Sequence, residues 1–446
     1  MTSPLSTTSS SILLGWKTPP VDRRMGFTRH EALPPLHPEA DDIQPFEAAD
    51  SEGHLVTIAP TGKGKGRSCL IPTLLRYPGA VVVIDPKGEA VAVTAQRRRE
   101  MGHEVVVLDP FRLTSEEPGG LNPFDVQALT GQPVEDFAVE MAHLLHHGRE
   151  ASLDDPFWDI RADGLNAGIC AAVATVEEPA NRHFLRARDM MLGDDVTYSL
   201  AVLLDTKGKQ MPRLAYQQIA AFLQTEDKCR SGICATAQQH YGVLYGDGVE
   251  KAVSRTSFDL SAFRDGKPLS IYLVVPPQKL TSHGALLRLW VGSLLSAVLS
   301  RRRRPATPTL FLLDEAAQLG ELEGLRALMT LMRGYGVRCW SFWQDLSQMK
   351  RLYERDWETV LNNAATVQVF GVTTHLAAKA LGELLGEGVS FRELLTLPPD
   401  EQLILEAGGI LTRARKLDYL KDPSFKGLYG VNHYYEREQI KDPPTR

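Results

Sequence analysis

The segment Ala59-Pro60-Thr61-Gly62-Lys63-Gly64-Lys65-Gly66 joins a β-branched run, His54 to Ala59, to a helical stretch reaching about Arg76. Strand, glycine-rich loop and helix in that order is the setting of a phosphate-binding loop. Residues without bulky side chains let successive backbone N–H groups close around phosphate oxygens, the helix N-terminus adds its positive end, and a lysine reaches the β- and γ-phosphates. Lys65 is placed for that task. Lys63 also follows a glycine, but its register would start the loop at Thr57, inside the strand, whereas Lys65 starts it at Ala59, where the strand ends. Two positions depart from the general pattern: Ala59 replaces the first glycine, and Gly66 the hydroxyl residue that would ligate magnesium. The residues assigned to nucleotide contact are Ala59, Pro60, Thr61, Gly62, Lys63, Gly64, Lys65, Gly66 and Arg67.

A second chemical signal lies far downstream. Thr309 to Leu313 is a continuous apolar run that ends in two acids, Asp314 and Glu315. A buried central strand delivers such a pair to the carboxyl edge of its sheet, where open α/β folds bind ligands. There Asp314 can hold Mg2+, directly or through water, and Glu315 can orient or deprotonate an attacking water.

The elements that must position these groups follow from periodicity. His54–Ala59, Ala80–Asp85 and Glu104–Asp109 read as strands separated by helices, the signature of βαβ units and a parallel sheet. Strand signals resume at Leu269–Val275, Thr309–Asp314, Val337–Phe342, Thr366–Phe370 and Gln402–Glu406, followed by a hairpin through Gly408 and Gly409 to Leu417. The pattern between is helical, as in Val134 to His147 and Trp158 to Val176. The expected organisation is therefore an N-terminal arm over 1–45, a nucleotide-binding domain split into 46–112 and 266–430, an all-α insertion over 113–265, and a tail over 431–446.

With 446 residues, 43% apolar and 23% charged, the chain can bury a sizeable core. Its 49 basic against 55 acidic residues leave a formal charge of −6, which excludes a wholly basic coat for nucleic acid. The charge is uneven: 113–265 holds 13 basic and 23 acidic residues, a balance of −10, so the rest of the chain stands at +4. Like charges repel phosphates, so the helical segment is a poor grip for DNA. Five scattered cysteines form no C-x-x-C spacing, which suits a reducing compartment. The best apolar run, Ala285 to Ser300, contains Arg288, and the first 45 residues offer no membrane helix, so a cytoplasmic location is expected. Arg301 to Arg304 read as a solvated helix end, with phosphate contact at a pore as the alternative. Glu140, His143 and His147 have a spacing compatible with metal but read as a helix surface.

Six spaced segments resemble the type IV secretion coupling proteins, the TraG-type conjugative DNA-transfer ATPases. They are Ala59 to Gly66 with Ile71-Pro72-Thr73-Leu74-Leu75, Val83-Ile84-Asp85-Pro86-Lys87-Gly88-Glu89, Leu121-Asn122-Pro123-Phe124-Asp125, Ile271 to Pro276, Leu312-Leu313-Asp314-Glu315, and Gln344-Asp345-Leu346-Ser347-Gln348. The likeness runs from about Leu55 to Phe425. It implies an α/β fold, a RecA-like P-loop NTPase domain with a mostly parallel sheet interrupted by an all-α insertion domain. It implies ATP and Mg2+ as cofactors, a ring hexamer with nucleotide between subunits, Arg333 as an arginine finger given to the neighbour, and Gln344 as a γ-phosphate sensor. Gly66 matches the family; Lys63, where the family usually has serine, does not. The partners implied are DNA, single-stranded or as nucleoprotein, a relaxase or accessory protein on the acidic insert, and type IV secretion components. Without membrane helices of its own in these residues, attachment to the inner membrane would go through a partner. The competing expectations are a ring DNA translocase unconnected with secretion and a non-hydrolysing, nucleotide-bound adaptor.

Overall fold

Short β-branched runs with turn residues at both ends become strands, and burial on both faces makes them a parallel sheet. A computed structural model describes residues 11–17, 44–49, 52–146, 156–319, 329, 332–386 and 389–435. Its strands are β1 (Leu13–Lys17), β2 (Pro45–Glu47), β3 (His54–Ile58), β4 (Val81–Ile84), β5 (Glu104–Leu108), β6 (Leu269–Leu273), β7 (Thr309–Leu313), β8 (Val337–Trp343), β9 (Ala364–Val369), β10 (Glu401–Glu406) and β11 (Ile410–Lys416). They form one sheet in the order β2-β1-β11-β10-β9-β3-β8-β7-β4-β6-β5. From β9 to β5 every pairing is parallel, and from β9 to β2 every pairing is antiparallel. All seven parallel strands therefore end at the same edge.

Alternation along the central strands divides two apolar layers. Val82, Ile84, Phe311 and Leu313 pack into one layer, Val81, Val83, Leu310 and Leu312 into the other. The first layer continues without a break into the helices between β5 and β6, built around the long helix Phe157–Val176. Among the described residues that stretch contains helices and no strand. The second layer is closed by the helix that follows the glycine-rich loop, by the helix Glu89–Glu100, and by chain from both terminal regions, including Trp16, Tyr419 and Phe425.

The run from Ala285 belongs to the helix Pro277–Leu299, the one helix among the described residues long and apolar enough to cross a bilayer. Within the fold 72% of its most apolar window is buried. Leu286, Leu289, Trp290 and Leu294 are wholly covered, each contributing about 1.5–3 kcal/mol through burial. It is a core helix between the sheet and the helical segment.

Two sequence expectations need correction. Among the described residues, strand structure is already present within the stretch expected as an N-terminal arm, because β1 pairs with β11, Gly15 opposite Lys416, and carries β2 on its other side. A five-residue strand whose partner lies 400 residues away has no local signature. Arg301 is also not solvated: it is 8% exposed, and its guanidinium donates to Phe263 O, Thr309 Oγ1, Tyr335 O and Gly336 O at 2.6–3.2 Å. The fork geometry of arginine lets one side chain tie three chain segments at the amino edge of the sheet. Arg302 and Arg303 are exposed, and Arg304 pairs with Glu52 at 2.8 Å.

Candidate nucleotide site at the carboxyl edge of the sheet

β3 delivers the glycine-rich loop, and the loop is tied down where it starts, by Ala59 N–H donating to Trp343 O of β8 at 2.9 Å. Gly62 and Gly64 take φ of +76° and +92°, conformations that cost L-residues a Cβ clash. At the loop's far end the chain turns into helix, Ser68 N–H closing on Gly64 O at 2.8 Å. Lys65 is 8% exposed and its Nζ donates back to Ala59 O at 2.7 Å, so the ammonium is held over the loop rather than in solvent.

The acids of β7 meet that lysine in one cleft. Pro60, Thr61, Gly62, Gly64, Lys65, Gly66 and Arg67 form one wall, and Asp85, Lys87, Glu89, Asp314, Glu315 and Tyr435 complete it. Asp314 has its carboxyl pushed up from 3.8 to about 6, chiefly by burial and then by the neighbouring Glu315, while Lys65 and Lys87 pull it down. Asp85, at the end of β4, is pushed up to about 7 by burial and by Asp314 and Glu89, against the Val91 N–H that donates to its Oδ2 at 2.9 Å. Glu315 adopts φ +53°, unusual for a non-glycine residue, a strain of order 1–3 kcal/mol that clusters at functional sites. Its Oε2 accepts from Gln344 Nε2 at 2.8 Å, and Gln344 N–H in turn donates to Gln348 Oε1 at 2.9 Å. Gln344, following β8, is thus brought into direct contact with the β7 acid.

A buried carboxyl, Asp85, raised by a half-buried one, Asp314, which Glu315 raises in turn, suits a hard cation, which would favour the ionised forms. Asp314, with Asp85 and Glu315 beside it, is an all-oxygen donor set that fits Mg2+; Gly66 offers no hydroxyl to complete it.

Ala59 is wholly buried at the start of the loop, and neither it nor Gln344 lines the cleft; two further assigned residues lie elsewhere. The stem of Lys63 packs on Gly371 beyond β9, where a Cβ would come within 2.6–3.0 Å of it, and Lys63 is not in the cleft wall. Its carbonyl accepts instead from Lys416 Nζ at 3.0 Å. Arg333 sits exposed in the short turn Met332–Tyr335 ahead of β8. Seven residues of β8 at about 3.3 Å each put it roughly 20 Å from the cleft, at the opposite edge of the sheet.

Sequence reasoning missed the chain after β11. Arg67 makes a bidentate pair with Asp418, at 2.6 and 2.8 Å, and lies 5.2 Å from the centre of the Tyr435 ring. Asn432 Nδ2 donates to Glu89 Oε1 at 2.8 Å and also reaches Tyr419 Oη. The segment therefore lies across the start of the phosphate-loop helix, and Tyr435 forms part of the cleft. Lys416 was missed too; its ammonium lies 4.6 Å from the Phe370 ring centre behind the loop, and burial lowers its pKa. Neither has a motif, because each acts through tertiary contact alone.

Comparison with known proteins agrees with this geometry. The chain is 29% identical over 437 residues to the conjugal transfer protein TraG of Agrobacterium fabrum, covering 90% of this chain and 65% of that one. It is 26% identical to the type IV secretion system-coupling protein VirD4 of Bartonella quintana, over 66% of this chain and 47% of that one. It thus spans between about half and two thirds of the length of these relatives. Among solved structures, the plasmid coupling protein TrwB in complex with ADP and Mg2+ superposes with a TM-score of 0.64 at 16% identity, covering 83% of this chain and 88% of that one. That likeness establishes a RecA-like α/β fold. The family model for type IV secretory system conjugative DNA transfer matches residues 39–391, most of the chain and every strand of the parallel sheet, and the protein belongs to that family.

Proposed function

We propose that this chain is an ATP-driven coupling protein, a ring-forming P-loop ATPase that recruits DNA or a relaxase-bound nucleoprotein for conjugative or type IV transfer. The observation that carries this reading is the convergence of Lys65, Asp314 and Glu315 on one cleft at the carboxyl edge of the sheet. In this assignment the amides of Gly62 to Gly66 and the Lys65 ammonium hold the β- and γ-phosphates. Bound Mg2+, held by Asp314 with Asp85 alongside, would supply charge neutralisation to the phosphate oxygens. Glu315 accepts the proton of the attacking water, and its contact with Gln344 links the reacting end of the nucleotide to β8 and the helix Leu346–Leu352 that follows.

Arg333 acts on the neighbour's nucleotide, since a strand length separates it from its own. A hexameric ring supplies that neighbour. The acidic helical segment over 113–265 serves as an insertion domain that meets protein cargo, a relaxase or an accessory factor, and DNA meets the ring's central channel. A cytoplasmic position, at the inner membrane through a partner, fits these roles.

The test is ATP turnover with and without single-stranded DNA across a range of protein concentrations. Specific activity should climb with concentration as shared sites form, rise with DNA, and fall about 10²–10⁴-fold in Glu315→Gln, with Lys65→Ala losing nucleotide binding as well. Turnover that ignores both substitutions would overturn the assignment.

A further inference from the structure

A second cluster of titratable side chains lies in the helical segment, apart from the nucleotide cleft. His146 ends the helix Val134–Leu145, Asp163 lies on the helix Phe157–Val176, and His240 ends the helix Asp227–His240. One ligand-capable atom from each falls within 4.8 Å of the other two. Asp163 Oδ1 is 2.9 Å from His146 Nδ1 and 3.6 Å from His240 Nδ1, and the two imidazoles meet edge to face with centroids 4.6 Å apart.

We propose that His146, Asp163 and His240 form a binding site for a first-row divalent metal ion, zinc being the probe of choice. Metal–ligand bonds of about 2.0–2.1 Å at tetrahedral angles place ligand atoms about 3.3 Å apart, and the two separations at Asp163 bracket that value. Two imidazoles and one carboxylate make a donor set suited to Zn2+ and Co2+ rather than Mg2+. The surroundings hold the ligands in place. Arg288 donates to the carbonyls of Leu144 and His146, fixing the helix end without using the imidazole. Asn166, fully buried one turn beyond Asp163, donates through Nδ2 to Ala237 O at 3.3 Å and lies 3.1 Å from His240 Nδ1, a contact that a metal ion on that nitrogen would replace. Asp159, one turn before Asp163, adds a second negative charge that acts on His146. His240 is 5% exposed, whereas the side chains of Asp163 and His146 are 30% and 17% exposed, so the cluster opens to solvent on one side and leaves room for a water ligand. A bound ion would staple two helix ends onto the central helix of the segment.

The opposing possibility is a metal-free His–Asp–His hydrogen-bond network. To separate the two, the untagged full chain is stripped with chelator, desalted and titrated without nucleotide. The proposal expects one equivalent of Zn2+ to be taken up and Co2+ to give the intense visible bands of a four-coordinate site, displaced by Zn2+. His146→Asn and Asp163→Asn should each weaken binding at least about tenfold and erase those bands, whereas Asp314→Asn, in the other cleft, should leave them intact. His146→Asn keeps the backbone carbonyl that holds Arg288, so its fold, checked by circular dichroism, should persist. Absence of Zn2+ uptake, bands that survive both cluster substitutions, or bands lost in Asp314→Asn would overturn it.

Discussion

Replacing Asp85 by asparagine should stabilise the nucleotide-free protein, by an amount that depends on pH. Asp85 is 4% exposed and its carboxyl titrates near 7 instead of 3.8, because burial and the charges of Asp314 and Glu89 disfavour the anion. Between those values the native state holds a proton that the unfolded chain releases, so stability falls as pH rises through the window. Integrating at about 1.36 kcal/mol per pH decade gives a penalty of about 1.7 kcal/mol at pH 5 and about 4 kcal/mol at pH 8.5. Asparagine carries no charge, and its Oδ1 can still accept from the Val91 N–H in the first turn of the following helix. With an unfolding entropy of about 2.1 cal/mol/K per residue over 446 residues, the gain is about 2 °C at pH 5 and about 4 °C at pH 8.5. Thermal unfolding in chelator, without nucleotide, reads it. A melting temperature that drops, or rises equally at both pH values, would refute the reasoning. If the cleft holds Mg2+-nucleotide as proposed, the same carboxyls should make wild-type affinity increase from about pH 5.5 to about 7.5, since a cation there must displace their protons, and Asp85→Asn should flatten that profile.

Three further outcomes follow from the geometry. Gly64→Ala meets only ordinary contact at its Cβ, 3.5 Å from Ser68 Oγ, but must hold φ near +92°; a cost of about 1–3 kcal/mol should lower the melting temperature and weaken nucleotide binding measured by fluorescence. Asp418→Ala breaks the bidentate pair with Arg67, so limited proteolysis should cut the chain after β11 faster, with the sheet left intact. Arg333→Ala should keep nucleotide affinity but lose turnover by about 10³-fold or more; mixed in equal parts with Lys65→Ala it should recover about a quarter of wild-type activity in a head-to-tail ring, where one interface in four pairs an intact loop with an intact arginine. No recovery would place Arg333 outside a shared site.

The parallel sheet was readable because its strands are buried on both faces and so carry apolar runs with sharp ends. Seven such runs mark β3 to β9, and the paired φ of +89° and +78° at Gly408 and Gly409 shows why the glycines announce the β10–β11 hairpin. Loop and acids were readable for the same reason: each stands at a strand's carboxyl end, so strand order alone brings Lys65 near Asp314. What escaped was set by contacts between distant segments. β1 is defined by pairing across 400 residues, Tyr435 reaches the cleft through a folded-back terminus, and Arg301 looks like its three exposed-type neighbours until the turn at Tyr335–Gly336 supplies carbonyls for it. Lys63 misled through adjacency, because a residue in a phosphate loop need not point its side chain at the phosphate.

The placement of Arg333 carries the strongest constraint on how such a site can work. Arg301 donates to the carbonyls of Tyr335 and Gly336 at 3.2 Å each and to β7 through Thr309 Oγ1, so the arginine's turn is anchored to the amino edge of the same strands whose carboxyl ends hold Asp314 and Gln344. Local rearrangement of a four-residue turn moves a guanidinium by several ångströms, whereas a strand length of roughly 20 Å separates the two edges. A single subunit therefore has its loop, its acids and its Gln344–Glu315 contact on one edge, and the Arg333 guanidinium on the other. In the proposed ring, copies arranged head to tail would join those edges. There β7 and β8, fully buried and running from the Arg333 edge to the cleft, would link a shift of Gln344 to the turn facing the next subunit.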